Sequence, residues 1–189
     1  MKLIVKNLSK KINNKVIFSN ISFEIENGIL LIRGKNGSGK TTLLKIIAGF
    51  ERKTKGDIIY DDISKFEISY LGHKLGLYPE LTVYENLKFF SNEKNFMKLF
   101  EYFELVNFLE YKVKYLSRGN IQKAAIVRAL IKDAKVYLFD EPFVSLDEIS
   151  KRKLENLIME YSNDKIFIIT SHEDNLFKSF PHQLLILDQ

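Results

Sequence analysis

Hydrophobic positions in the first third of the chain recur with the spacing of β-strands. Residues 21–26 alternate between apolar and polar side chains, which is typical of a strand with one buried face. Residues 29–32 are continuously apolar, as expected of a strand that is covered on both faces. The pattern predicts strands at 2–6, 16–25 and 29–33, a helix at 41–48 that ends before Gly49, and further strands at 56–60 and 68–71.

The spacing becomes helical in the middle of the chain and then alternates between helix and strand. Val83, Leu87 and Phe90 recur at i, i+4 and i+7, and a second set follows at Phe96, Leu99, Phe100 and Phe103. We expect residues 74–115 to form a helical insertion. After it, the pattern predicts a helix at 122–131, a strand at 136–139, a helix through 154–161, and strands at 166–169 and 183–187. Alternating strands and helices predict an α/β fold with a mostly parallel sheet.

Composition narrows the class of protein. The chain has 189 residues, of which 46% are hydrophobic and 28% charged, as in one globular domain. No apolar run approaches the roughly 20 residues that span a bilayer. We expect residues 1–5 to form a first strand, because this apolar stretch is too short for a signal peptide. The absence of cysteine excludes disulfides and thiolate metal sites and agrees with a cytoplasmic protein.

The net charge of +5 comes from 29 basic and 24 acidic residues. A basic excess can favour nucleic acid or an anionic membrane surface. The lysines here are scattered, and no block of five or six forms. We therefore interpret them as a solvated surface and expect no nucleic-acid partner.

A glycine-rich loop at residues 34–41 carries the strongest chemical signal. It fits the pattern G-x-x-x-x-G-K-[ST] and stands between a predicted buried strand and a predicted helix. Backbone amides in such a loop bind phosphates, Lys40 meets the β- and γ-phosphates, and Thr41 holds magnesium. The predicted ATP-binding residues of this loop are Gly34, Asn36, Gly37, Ser38, Gly39, Lys40, Thr41 and Thr42.

Two carboxylates follow the predicted strand at 136–139. Asp140 is expected to hold magnesium through water, and Glu141 to orient and deprotonate the attacking water. On its own, an acidic pair at a strand end could merely cap the next turn. The glycine loop upstream favours the functional interpretation.

A third motif, at residues 116–122, precedes a predicted helix. Ser117 and Gly119 at a helix N-terminus make an anion site, although the same residues can serve only as a helix cap. Because the glycine loop already binds one set of phosphates, a second anion site requires a second nucleotide or a second subunit.

With these three motifs in this order, the chain resembles the nucleotide-binding subunits of ABC transporters over essentially its whole length. The resemblance implies a P-loop NTPase core with a mostly parallel sheet, an N-terminal antiparallel β-subdomain and an inserted α-helical subdomain. It implies one domain over residues 1–189, with the core and β-subdomain at 1–73 and 116–189 and the helical subdomain at 74–115.

The resemblance also implies roles for individual residues. Ser117 and Gly119 belong to a signature loop that contacts the γ-phosphate of ATP held by the opposite protomer. Asp140 and Glu141 form the Walker B pair, and residues 145–147 cross the dimer interface. His172 is the switch histidine, which touches the γ-phosphate and helps to hold the water. Outside this resemblance, His172 would more often be a strand-end histidine without a catalytic part.

The function that the resemblance implies is ATP hydrolysis, with Mg²⁺, that drives transport through separate integral membrane permease subunits. The ATP-bound state would be a homodimer or heterodimer of ATPase subunits. The location would be cytoplasmic, peripheral to the inner face of the cell membrane. The alternative is a soluble ABC-type ATPase that acts on the ribosome or on DNA. Such relatives usually carry two of these domains or long coiled-coil arms.

The chain departs from the family pattern at three places. The signature loop has Arg118 and Asn120 where glycine and glutamine are usual. The family often stacks an aromatic ring on adenine where this chain has Ile12, so only apolar contact from Ile12 and Val16 is left. We expect weaker adenine affinity as a result.

The third departure is His73, where the family usually has a glutamine that links magnesium and water to the membrane partner. Imidazole is a poor magnesium ligand compared with oxygen donors, so we expect His73 to act through water. His73 and the following segment 81–87 are also similar to the haem-exporter subunits of cytochrome c maturation.

Overall fold

The computed structural model describes residues 1–88, 90, 93–173 and 175–187, without the side chains of 93–96. This part of the chain contains eight strands and five α-helices. In order they are β1 (Lys2–Ile12), β2 (Lys15–Ile25), β3 (Gly28–Gly34), α1 (Lys40–Ile47), β4 (Lys55–Asp61), β5 (Ile68–Leu71), α2 (Val83–Lys88), α3 (Glu93–Tyr102), α4 (Arg118–Ile131), β6 (Val136–Asp140), α5 (Glu148–Tyr161), β7 (Ile166–Thr170) and β8 (Gln183–Leu187).

The first sheet is antiparallel and has the strand order β2-β1-β4. Asn13 and Asn14 have φ angles of 48° and 62°, so they form the two-residue turn between β1 and β2. Such turns require left-handed backbone at both positions, which asparagine tolerates. This sheet is the predicted antiparallel part of the fold.

The second sheet is parallel and has the strand order β5-β6-β7-β3-β8. Every residue of β6 and β7 is buried, which accounts for their continuous apolar sequences. Ile32 of β3 and Asp140 of β6 both pair with Thr170 of β7. The carboxyl ends of these three strands therefore meet at one edge, where α/β sheets place their ligands.

Two hydrophobic cores lie on the two faces of the parallel sheet. Alternate residues of β6 show this division, because Val136 and Leu138 join one core whereas Tyr137 and Phe139 join the other. The first core is closed by α1 and the antiparallel sheet, and the second by α4, α5 and the segment that contains α2 and α3. The structure confirms the predicted α/β fold class.

The segment 74–115 is only partly helical. It contains α2, α3 and two short 3-10 turns, at Val106–Phe108 and Val113–Tyr115. Residues 74–82 form a loop instead, because buried Asn86 accepts a hydrogen bond from the Tyr78 backbone N–H and donates to the carbonyl of Thr82. Val83 and Leu87 are buried as predicted, whereas Phe90 lies past the end of α2 and is 43% exposed. The side chain of Phe96 lies outside the described part of the chain.

No helix in the described ranges combines the length and the apolar character that a membrane span requires.

Candidate active site

The loop between β3 and α1 has the conformation of a phosphate-binding loop. Gly37 and Gly39 have φ angles of 84° and 95°, in the left-handed region that favours glycine. A Cβ on Gly39 would lie 2.8 Å from Cγ2 of Ile17, so glycine lets the loop approach β2. No side chain caps the N-terminus of α1, which directs its free amides and its partial positive charge at the loop.

Lys40 holds the two sides of this loop together. Its Nζ donates to the carbonyl oxygens of Gly34 at 2.8 Å and Lys35 at 3.3 Å, and it lies 3.4 Å from Nε2 of His172. The side chain is buried, so the ammonium group has a fixed position at the centre of the loop. This is where a terminal phosphate would meet a cation.

Asp140 is fixed by two threonine hydroxyls. Thr41 donates to its Oδ2 and Thr170 donates to its Oδ1, each at 2.8 Å. Asp140 is 3% exposed and Thr170 is fully buried. Both carboxylate oxygens therefore have defined directions before any ligand arrives.

Glu141 turns out of the sheet edge into the cleft. Its φ angle is 54°, an uncommon conformation for a residue with a side chain and one that is often found at functional sites. Its backbone N–H donates to the carbonyl oxygen and the hydroxyl of Thr170, at 3.2 and 3.0 Å. Oε1 is buried and accepts no hydrogen bond from the described residues; Nε2 of His172 lies 3.2 Å from it, at ion-pair distance.

These groups line one cleft of about 500 Å³. Its lining residues are Ile17, Asn36, Gly37, Ser38, Gly39, Lys40, Thr41, Thr42, His73, Asp140, Glu141, Val144 and His172. The fold thus brings together most of the site residues that the sequence predicts. Gly34 contributes its carbonyl oxygen to Lys40.

Ile12 and Val16 do not belong to this lining as the structure describes it. They are 44% and 45% exposed and lie beside the turn between β1 and β2, whereas Ile17 lines the cleft. Their contact with adenine stays a prediction. The pattern of apolar and polar residues along β2 did not indicate that Ile17, rather than Val16, would line the cleft.

Ser117 and Gly119 lie outside the same cleft. Oγ of Ser117 accepts a hydrogen bond from the Asn120 N–H at 3.2 Å and caps α4. This cap starts α4 at Arg118, four residues before the predicted start. A Cβ on Gly119 would lie 3.0 Å from the carbonyl oxygen of Ser145, so the signature loop packs against the segment 145–147. Their role in a partner's site stays a prediction.

Asp147 caps α5 at the end of that segment. Its Oδ1 accepts the Ser150 N–H at 2.8 Å, and its Oδ2 lies 3.4 Å from Nζ of Lys123. The hydrogen bonds from Ser150, backbone first, lower the pKa of Asp147 to about 2. The sequence motifs did not predict that Asp147 caps α5.

Thr170 is the site residue that sequence reasoning missed. It is bound to both Asp140 and Glu141, but it carries no motif of its own. The one sequence feature that could have indicated its role is that Thr170 is a polar residue at the end of the otherwise apolar strand β7.

The oxygen donors fit a magnesium ion. A threonine hydroxyl and an aspartate carboxylate are hard donors of the kind that Mg²⁺ prefers. In the described ranges, no group of three or more His, Cys, Asp or Glu side chains is arranged for a metal.

A parallel sheet, a glycine loop that follows β3 and opens onto α1, and an acidic pair at the end of β6 define a P-loop nucleotide-binding domain. The sequence profile of the ABC transporter family matches residues 18–144. The chain belongs to this family, and it is an ABC ATPase.

Related sequences and structures cover nearly the whole chain. A cytochrome c biogenesis ATP-binding export protein CcmA of Rickettsia bellii is 36% identical over 183 residues, which cover 91% of this chain and 93% of that protein. A CcmA of Legionella pneumophila (strain Lens) is 32% identical, covering 86% and 88%.

Two solved structures share the fold. An ABC transporter ATP-binding protein of Pyrococcus furiosus superposes with a TM-score of 0.85 at 29% identity, covering 98% of each chain. A dimeric ATP-binding cassette in a post-hydrolysis state, bound to ADP and Pi, superposes with a TM-score of 0.80 at 25% identity, covering 92% of this chain and 89% of that one.

Proposed function

We propose that this chain is the ATP-hydrolysing subunit of an ABC exporter and drives transport through separate integral membrane subunits. The observation that carries the proposal is the convergence of Lys40, Thr41, Asp140, Glu141 and His172 on one cleft. These residues lie at or after the carboxyl ends of the parallel strands β3, β6 and β7, with Lys40 and Thr41 in the first turn of α1.

The chemistry assigned to the cleft is attack of water on the γ-phosphate. Glu141 is the general base, because its carboxylate lines the cleft directly after Asp140 and lies within 3.2 Å of His172, the residue proposed to help hold the water. Lys40 and His172, whose Nζ and Nε2 are 3.4 Å apart, would contact the γ-phosphate. Thr41 and Asp140 would hold Mg²⁺, which when bound neutralises phosphate charge.

The ATP-bound form would be a dimer, either of two copies or with a related ATPase subunit. Ser117 and Gly119 lie outside the chain's own cleft, in agreement with a role at a nucleotide held by a second subunit. The exposed N-terminus of α4 offers amides and a positive dipole to such a phosphate. The dimeric, ADP-bound structural relative supports this arrangement by analogy.

Export is proposed because the sequence relatives carry the name ATP-binding export protein. Coupling to membrane subunits would place the chain on the cytoplasmic face of the cell membrane. We further propose that residues 74–115 act as a helical subdomain that passes motion from the core, 1–73 and 116–189, to those subunits.

Affinity purification tests the coupling directly. An epitope-tagged copy would be recovered from membranes in mild detergent, with untagged cells as the control, and its partners identified by mass spectrometry. Recovery of a multispanning membrane protein in stoichiometric amount is the expected result. Recovery of ribosomal RNA or DNA without such a protein would favour the soluble ATPase instead.

A further inference from the structure

His73 is placed beside the predicted metal site by the end of strand β5. The strand ends at Leu71, and Gly72 follows where an added Cβ would lie only 2.5 Å from the hydroxyl oxygen of Tyr70. Glycine therefore allows the chain to turn past Tyr70 and toward β6. Nε2 of His73 then lies 3.4 Å from Oδ2 of Asp140.

Three different donor atoms meet at this point. The same Oδ2 of Asp140 accepts the hydroxyl hydrogen of Thr41 at 2.8 Å. Neighbouring donors around an octahedral divalent cation with bonds of 2.0–2.1 Å are separated by about 3 Å. The two separations of 2.8 and 3.4 Å lie on either side of that value. A hydroxyl oxygen and an imidazole nitrogen thus each lie about one ligand spacing from the same carboxylate oxygen.

The nitrogen donor changes which metal suits the site. Both Mg²⁺ and Mn²⁺ favour oxygen ligands, but Mn²⁺, the first metal of the Irving–Williams series, accepts an imidazole nitrogen more readily than Mg²⁺ does. The side chain of His73 is 64% exposed, and within the described residues Asp140 is its one recorded polar partner. The ring can therefore move onto a metal without breaking another contact of the described structure.

We propose that His73 is a metal-selecting ligand: its Nε2 binds the nucleotide-bound metal directly when the metal is Mn²⁺, and through water when it is Mg²⁺. This inference rests on the proposed nucleotide site, in which Thr41 and Asp140 hold the metal. Its consequence is a ratio of Mn²⁺ to Mg²⁺ affinity that is higher than a glutamine at position 73 would give.

Electron spin-echo spectroscopy of Mn²⁺ with a non-hydrolysable ATP analogue tests the ligand itself. In the wild-type protein we expect ³¹P couplings from the phosphates and ¹⁴N modulation from an imidazole. His73→Gln should keep the ³¹P couplings and lose the ¹⁴N modulation. His172→Gln is the matched control, because it removes the other histidine that lines the cleft and should keep both signals.

Titration of Mn²⁺ and Mg²⁺ in the presence of the analogue gives the second readout. His73→Gln removes a direct ligand from Mn²⁺ but only a water-mediated contact from Mg²⁺, so Mn²⁺ affinity should fall further than Mg²⁺ affinity. We expect the ratio of Mn²⁺ to Mg²⁺ affinity to fall about tenfold.

The outcomes separate this inference from the proposed function. Phosphorus couplings without nitrogen modulation in the wild type, or modulation that survives His73→Gln, would overturn the role of His73 and leave the nucleotide site standing. Absence of ³¹P couplings in the wild type would overturn both the role of His73 and the proposed nucleotide site.

Discussion

Thr170 at the end of β7 donates a 2.8 Å hydrogen bond to Oδ1 of Asp140 at the end of the neighbouring β6. The same hydroxyl accepts the backbone N–H of Glu141 at 3.0 Å. One buried threonine therefore orients the proposed metal carboxylate and anchors the backbone of the proposed general base. The two strands pair in register at this point, which makes the contact a property of the sheet.

Replacing this hydroxyl should disturb both acids. In Thr170→Val, Oδ1 of Asp140 loses its buried donor, and an unsatisfied buried polar group costs about 1–3 kcal/mol. The Glu141 N–H loses the hydroxyl and keeps the Thr170 carbonyl oxygen. We expect the free energy of unfolding to fall by about that amount in urea titrations, and kcat for ATP hydrolysis to fall about tenfold or more. Thr170→Ser keeps the hydroxyl and is the control. Equal kcat in the valine and serine variants would contradict the positioning role.

Glu141→Gln tests the general base. Turnover should fall by about 10²–10⁴-fold, the usual contribution of general-base catalysis, because the amide cannot take a proton from water. The dissociation constant for ATP should change little. Glu110→Gln, at an exposed position outside the cleft, is the control. Turnover like that of the wild type in Glu141→Gln would show that another group is the base.

Base selectivity tests the role of Ile12. Stacking of a base on an aromatic ring contributes about 1–3 kcal/mol, and Ile12 offers no such ring. We expect similar dissociation constants for ATP and GTP, and tighter ATP binding in Ile12→Tyr. Ile59→Tyr adds the same ring at a comparably exposed position of β4 and should leave ATP binding unchanged. A strong ATP preference in the wild type would mean that other residues read the base.

Acid should weaken the cap of α5. The pKa of Asp147 is about 2 in the folded chain, below its ordinary value of 3.8, because the ionised carboxylate accepts hydrogen bonds from Ser150. The resulting stabilisation is present above pH 4 and is lost as the pH falls through 2. Asp147→Asn keeps a capping oxygen but has no charge to lose.

The measurement is the free energy of unfolding of the wild type and of Asp147→Asn between pH 5 and 2. The difference between them should shrink steadily below about pH 4. Asp61→Asn, an exposed acid on β4, is the comparison variant. A difference that is independent of pH would show that the cap does not depend on ionisation.

Local sequence determines much of the fold and of the site. The glycine loop, the acidic pair and His172 each lie at the end of an apolar strand, and parallel strands carry such ends to one edge of a sheet. The spacing of apolar residues therefore sufficed to predict the α/β class, whereas the part of His172 in the site was predicted only from the family resemblance. Ser117 illustrates the limit of this reasoning, since its cap begins α4 earlier than the apolar spacing indicates.

Contacts between segments that are distant in the sequence could not be predicted from the spacing of apolar residues. Thr170 contacts Asp140 because β7 lies beside β6. The sequence of neither strand predicts which strand will be its neighbour in the sheet. The loop at 74–82 is held by the buried side-chain amide of Asn86, which lies on α2, and the apolar spacing gives no sign of this contact. Ile17 lines the cleft because Gly39 packs against it, a contact that depends on the tertiary fold.

The proposed mechanism requires two ATPase subunits to complete each reaction centre, and the molar mass in solution tests that requirement most directly. Glu141→Gln saturated with Mg²⁺ and ATP would be measured by light scattering after size-exclusion chromatography, with ADP as the control. We predict twice the mass of one chain with ATP and the mass of one chain with ADP. The mass of a single chain at saturating ATP would contradict a composite site built from two copies.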